Sequence, residues 1–380
     1  MLLALELEDH RNITAARMEP SPGLNVICGN NGQGKTNLLE AVWLLTGGKS
    51  FRGAKDAELV RRGEEFSVLE ALIESREQQR RLRFTVGVPG SERPGRCVRI
   101  NGVDRGRASA AAGEFTAVVF APEHLSLVKG SPAGRRRFLD AALCQLYPGY
   151  LGILRRYTRL LAQKNALLKH WQTTPGREQL LEVYDEQLAV CGAEGSGRRA
   201  GYLAALAPIA AKNYEEISHG SETLMIQYQP CPDPATGRAW PLSGLAGNQE
   251  RYGAEKLRAV IGAMRGAELR AGCCLAGPHR EDILVELSGQ DARAYASQGQ
   301  QRSAVLSLKL AEAAMAAQVT GEHPVLLLDD VLSELDATRQ EYLLTRMEGI
   351  QSFVTACDPA AFLHTDGVVY TMQAGELALR

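Results

Sequence analysis

The apolar positions divide this chain of 380 residues into two strand-bearing ends and a helical middle. Leu2 to Glu8 alternates loosely and predicts a first strand, with a turn at His10-Arg11-Asn12. Gly23 to Cys28 reads as a buried strand and Asn37 to Leu45 as a helix, broken at Lys49-Ser50-Phe51-Arg52-Gly53. Between Phe66 and Gly102, the alternating segments 66–73, 81–86 and 97–100 are separated by charge or Pro/Gly and end in Asn101-Gly102, the pattern of an antiparallel meander. Phe115 to Phe120 is a short apolar run suited to a buried parallel strand, closed by Pro122.

From about Arg135 to His219 the period changes. Leu151, Leu154, Leu160, Leu161, Leu167 and Leu168 recur at helical spacing. Gly192, Gly195 and Gly197 leave open whether one helix or two crosses them. A surface loop is predicted over Pro230 to Pro241 and a further helix from about Gln249 to Leu269. Strand patterns resume at Ile283 to Leu287, a helix runs from near Gln300 to about Gln318, and His323 to Asp329 reads as a buried strand. A helix at Thr338 to Glu348 and strands at 352–355 and 367–371 complete the pattern. The expected fold class is α/β: a nucleotide-binding lobe built from residues 1–121 and 272–380, with a mainly helical lobe of residues 122–271 inserted.

Composition changes this picture little. Hydrophobic residues make up 45% and charged residues 23%, as in ordinary globular proteins. With 43 Lys+Arg against 44 Asp+Glu the net charge is −1, so any nucleic-acid contact must use a local patch. The eight cysteines are scattered without C-x-x-C spacing, as expected of reduced thiols in a cytoplasmic protein. No charged leader opens the chain, and no run approaches the roughly 18 apolar residues of a membrane span. A cytoplasmic location and no membrane partner are expected.

Chemistry enters at Gly29-Asn30-Asn31-Gly32-Gln33-Gly34-Lys35-Thr36, which fits G-x-x-x-x-G-K-[ST] between a strand and a helix. Its glycines let successive N–H groups turn inward as a nest for phosphate oxygens at a helix start. Lys35 would add a point charge at the β- and γ-phosphates, and Thr36 a hydroxyl ligand for the accompanying Mg²⁺. Val325-Leu326-Leu327-Leu328-Asp329-Asp330 carries two acids to the end of an apolar strand. Asp329 is expected to hold Mg²⁺ through water and Asp330 to polarise the attacking water. Ser297-Gln298-Gly299-Gln300-Gln301 opens a helix, where small residues suit close approach to an anion. Ser333-Glu334-Leu335-Asp336 follows the acids directly.

Phosphate loop, a signature of the L-S-G-G-Q type (Ala296 to Gln300), acidic strand and Ser-x-Leu-Asp loop, in that order, resemble the ABC-type ATPase family. The resemblance implies a homodimer formed with ATP, each nucleotide lying between the phosphate loop of one head and the signature of the other. Ser297, Gly299, Gln300 and Asp336 would then join residues 29–36 around ATP and Mg²⁺. A narrower resemblance, over essentially the whole length, is to the RecF family of bacterial recombination mediators, related to the heads of SMC and Rad50. Pro122 to Asp140 is its most specific stretch; Ser50-Phe51-Arg52 and Gly277-Pro278-His279-Arg280 are also similar. It implies a weak, DNA-stimulated ATPase that binds duplex or gapped DNA and works with RecO and RecR to load RecA. Arg135, Arg136 and Arg137, with Arg155, Arg156, Arg159 and Lys164 further along, are the residues expected at DNA phosphates.

Some positions depart from the ABC pattern. Asp330 stands where transporters carry Glu, one methylene longer, which predicts slow hydrolysis. The usual switch histidine is absent from Ser352 to Asp358, leaving Thr355 as the nearest polar candidate. Phe120-Ala121-Pro122-Glu123 stands where a glutamine is usual. Two other classes compete. A transporter ATPase lacks a counterpart of the helical insert and of residues 122–140. In a phosphotransferase, Ser297 to Gln300 would be unexplained.

Overall fold

A computed structural model of the chain describes residues 1–231, 253–357 and 367–380. In chain order its strands are β1 (Leu2–His10), β2 (Ile13–Met18), β3 (Leu24–Cys28), β4 (Phe66–Ser75), β5 (Gln78–Gly87), β6 (Gly95–Ile100), β7 (Val103–Arg107), β8 (Ala117–Phe120), β9 (Leu224–Gln229), β10 (Asp282–Leu287), β11 (Gln290–Asp291), β12 (Val325–Leu328), β13 (Ser352–Ala356), β14 (Val368–Gln373) and β15 (Glu376–Leu379). The α-helices are α1 (Lys35–Leu44), α2 (Ser126–Lys129), α3 (Pro132–Leu146), α4 (Tyr150–Lys169), α5 (Arg177–Ile217), α6 (Ala254–Ala271), α7 (Ala292–Tyr295), α8 (Gln298–Thr320) and α9 (Ala337–Met347).

Two units share these elements: residues 1–124 with 305–380, and residues 125–304. The first contains two sheets. One, in order β15-β14-β3-β13-β12-β8, is parallel except for β15. Its strands β8 and β12 are wholly buried, which is why they read as unbroken apolar runs, while β13 is as buried but carries Ser352 and Thr355. The other, β2-β1-β4-β5-β6-β7, is the antiparallel meander with two more strands than the sequence pattern predicts. Along β4 and β5 the inward residues Leu69, Ala71, Ile73, Leu82, Phe84 and Val86 are buried while alternate positions face out.

In this unit His10 is fully buried at the end of β1, and burial lowers its imidazole pKa to about 4. Between the unfolded value near 6.5 and about 4, the unfolded chain binds a proton that the folded chain does not. Stability therefore falls as pH drops through that window, by roughly 3 kcal/mol in total from this group. Urea melts between neutral pH and the bottom of the window should show a shallower decline in His10→Gln than in the parent. Equal slopes in both proteins would remove His10 as a source.

The second unit is mainly helical, with a three-stranded sheet β11-β10-β9. A single 41-residue helix, α5, crosses Gly192, Gly195 and Gly197. The apolar pattern weakens there because the helix is closely approached: a Cβ on Gly192 would lie 2.7 Å from Leu257 of α6 and 3.1 Å from Pro278. Tyr157, Leu160, Leu188, Leu257 and Ile261 pack together in the core between α4, α5 and α6. The boundary expected at 272 moves to 304, since β10 pairs along its whole length with β9 of the helical unit. Residues 232–241 of the predicted loop and the predicted helix start near Gln249 lie outside the described residues, as does Asp358.

The arginine-rich region expected to face DNA needs correction. Arg135 is buried and forms a two-pronged ion pair with Asp282 at 2.6 and 2.7 Å, while its Nη1 donates to the Gly130 carbonyl at 2.9 Å. Lys164 is fully buried between Asp185 and Glu268, at 2.8 and 2.6 Å. A guanidinium or ammonium already paired and desolvated in this way has no capacity left for a phosphate. Half-buried Arg136 donates to the Glu281 carbonyl at 2.6 Å. Arg137, Arg155, Arg156 and Arg159 lie on the surface.

Candidate nucleotide-binding site

The site grows from the order of strands. β3 ends at the phosphate loop and β12 at the acids, and β13 lies between them, all three parallel. Ligands of such sheets bind outside the carboxyl ends of the strands. Gly29 turns off β3 with φ 156°, where a Cβ would meet the Met372 carbonyl of β14 at 2.3 Å. Gly34, with φ 117°, opens α1, and there a Cβ would sit 2.9 Å from the Asn12 Oδ1. No other residue fits both the dihedral and the space.

Lys35 is the first residue of α1 and is almost fully buried. Its Nζ donates to the carbonyls of Gly29 at 2.6 Å and Asn30 at 3.2 Å, and lies 3.7 Å from Cys357 Sγ. The loop thus wraps around its own cation, and among the described residues no carboxylate pairs with that cation. Such a charge at the start of a helix, without a carboxylate partner, fits a phosphate. Gln33 anchors the loop from outside: its carbonyl accepts from Gly375 N–H at 3.0 Å and Asn12 Nδ2 at 3.1 Å, and its Oε1 accepts from Ala374 N–H at 2.5 Å. Asn12 Oδ1 in turn accepts from Asn37 Nδ2 at 2.7 Å, and Asn37 Oδ1 from Arg52 at 3.1 Å.

The acids meet the loop directly. Thr36 Oγ1 donates to Asp329 Oδ1 at 2.8 Å. Thr355, on β13, donates to the same oxygen at 3.1 Å and accepts from the Asp330 N–H at 2.8 Å. Burial first, with the charges of Asp330 and Glu123 behind it, raises the Asp329 carboxyl to about 6 against the lowering effect of Thr36 and Thr355. A hydroxyl and a carboxylate held oxygen to oxygen suit a hard divalent cation that keeps its waters and takes further oxygens from phosphates. Among the described residues no cluster of three or more His, Cys, Asp or Glu could hold a metal by itself. Asp330 has φ 51°, a left-handed conformation that Asp tolerates.

In the second unit Ser297 and Gln300 form a reciprocal cap at the start of α8. Gln300 N–H donates to Ser297 Oγ at 3.2 Å, and Ser297 N–H to Gln300 Oε1 at 2.7 Å. The Gln300 side chain also donates to Glu222 at 2.6 Å. Ser297 is exposed and Gly299 half-exposed. Asp336 caps α9, accepting from Arg339 N–H at 3.0 Å, and that interaction holds its carboxyl below the usual range.

Sequence reasoning did not single out Asn12, Glu123 or the turn Ala374-Gly375 as parts of the site. Asn12 lay in a recognised turn, but only the fold brings that turn to the phosphate loop.

A parallel sheet with a phosphate loop on one strand and a carboxylate two strands away, plus a serine-capped signature helix, defines an ABC-type ATPase head. A family model described as RecF/RecN/SMC N terminal domain matches residues 1–376. The DNA replication and repair protein RecF of Heliobacterium modesticaldum is 40% identical over 99% of this chain and 98% of its own length. That of Geobacillus thermodenitrificans is 37% identical over 99% of both. The chain belongs to the RecF family. A solved structure of the recombination mediator protein RecF with ATP, in the RecFOR pathway, has a TM-score of 0.88 at 34% identity and covers 100% of this chain and 97% of that one. The Smc head domain of Pyrococcus furiosus, at 15% identity and a TM-score of 0.54 over 100% of this chain and 95% of its own, shares the fold.

Proposed function

We propose that this chain is a recombination mediator that uses ATP as a switch: ATP drives two heads together on DNA, and slow, DNA-stimulated hydrolysis releases them. The hydrogen bond between Thr36 and Asp329, at 2.8 Å beneath the phosphate loop, carries this reading. It joins the two halves of a Mg²⁺-nucleotide site within one head, while the capped helix at Ser297 offers its N–H groups to a γ-phosphate on a partner head. Thr36 and Asp329 would hold the Mg²⁺, residues 29–36 and Lys35 the phosphates, and Ser297, Gly299, Gln300 and Asp336 would complete the partner's site. RecO and RecR are the expected protein partners, gapped or duplex DNA the expected binding substrate, and single-stranded DNA the strand onto which RecA is loaded. Arg137, Arg155, Arg156 and Arg159 remain candidates for phosphate binding. Sizing the protein with and without ATP, Mg²⁺ and duplex DNA tests the switch. A monomer under every condition would refute it.

Asp330 supplies the base in this scheme. Asp330→Asn keeps the side-chain volume and tolerates the same left-handed backbone, so ATP binding should persist. Turnover should fall on the order of 100-fold, the usual contribution of a general base, and ATP-dependent dimers should last longer. Phosphate release at the parent rate would take Asp330 out of that role.

A further inference from the structure

We propose that the outer face of the antiparallel sheet, at its β5-β6-β7 end, is a docking surface for the phosphodiester backbone of DNA, formed by Arg81, Arg83, Arg99 and Arg107. The inference rests on the reading of the chain as a DNA-binding switch and assigns that switch a surface.

The sequence concentrates charge here. Residues 76–107 hold nine arginines, no lysine and three acids, in a chain whose net charge is −1. The register places four of them, Arg81, Arg83, Arg99 and Arg107, on one face. Arg83 lies directly opposite Arg99, and Arg107 opposite Cys97. Because Leu82, Phe84, Val98 and Ile100 point into the core, Arg81, Arg83, Arg99 and Arg107 point away from it. Like charges directly opposed across two strands destabilise a sheet, so the pair at 83 and 99 is unfavourable unless something anionic lies over it.

The protein's own carboxylates neutralise only part of this charge. Glu70 serves both Arg83 at 2.8 Å and Arg81 at 3.5 Å. Asp104, opposite Arg99, accepts the Gly106 N–H at 2.7 Å. Among the described residues, Arg99, Arg105 and Arg107 form no ion pair, and all are exposed. Protection of an edge strand explains charges on β7, every residue of which is exposed. It does not explain Arg81, Arg83 and Arg99 on the two strands inside that edge. Arginine in place of lysine favours phosphate, which its planar fork can grip with two hydrogen bonds. Such interactions position a duplex without reading its sequence.

The test compares full-length protein with the variant Arg83→Gln/Arg99→Gln/Arg107→Gln, measuring ATP-dependent binding to a fluorescent duplex between about 50 and 200 mM salt. All three positions face solvent, so the variant should stay folded, as a thermal melt checks, and keep its ATP affinity. The expected result is a salt slope shallower by about 0.9 for each phosphate left without its arginine, and affinity at least tenfold weaker at about 100 mM salt. Lysines at the same positions should restore most of the slope. Parent-like slope and affinity in the glutamine variant would overturn the surface alone. A variant that keeps the DNA slope but no longer binds polyglutamate would overturn it in favour of an acidic protein partner. Parent protein that binds no duplex at all would instead bring down the functional reading beneath it.

Discussion

Lys35→Ala is expected to abolish tight ATP binding. The ammonium is the only side-chain cation seated inside the phosphate loop among the described residues, and it is almost fully buried there. Truncating one partner of a buried, hydrogen-bonded charge pair costs about 2–5 kcal/mol, on the order of 30- to 5,000-fold in affinity. Titration calorimetry with ATP and Mg²⁺ reads the loss directly. Since the alanine also leaves the carbonyls of Gly29 and Asn30 without their donor, a thermal melt must accompany the titration. A folded variant that binds ATP as the parent does would refute the assignment of the loop.

Replacing Ser297 with Arg should act one step later. ATP should still bind to the separate head, but ATP-driven dimerisation should fail because the long side chain occupies the space meant for a partner's γ-phosphate. Ser297 also caps α8, and losing a cap costs about 1 kcal/mol, so Ser297→Ala is the control that removes the cap without adding bulk. Dimers in the alanine variant and none in the arginine variant isolate the steric effect. Mixing Ser297→Arg with Lys35→Ala should then restore some hydrolysis, since one intact site can form between the loop of the first chain and the signature of the second. A Ser297→Arg protein that dimerises and turns over normally would sink the composite site.

What could be read without coordinates follows burial. Strands β8 and β12 are buried along their whole length and announce themselves as apolar runs; the acids follow directly on β12 and the loop on the mostly buried β3, so the centre of the candidate site was legible. Strands β2, β7, β11 and β15 escape because few of their side chains are buried to leave a pattern. β9 is a different case. Its alternation over Leu224, Ile226 and Tyr228 is readable, but it is passed over between a helix predicted to His219 and a loop predicted from Pro230. Arg135 and Lys164 read as surface cations because their partners lie far along the chain, Asp282 at 147 residues from Arg135. Periodicity reports that a position is buried or exposed; it cannot report which distant carboxylate neutralises a charge.

The position of β3 between β13 and β14 also bears on how the protein is made. The strand that bears the phosphate loop pairs only with strands more than 300 residues later in the chain, Val26 opposite Val354 and Val369. Pairings of such sequence separation form slowly, because the chain between them must first be closed into a loop. During synthesis the loop sequence leaves the ribosome early, yet it has no sheet to stand on and no turn at Ala374-Gly375 to hold Gln33. Nucleotide capture is thus among the last properties the growing polypeptide acquires, and a prematurely terminated product lacking β13 and β14 has no sheet on which to seat the loop.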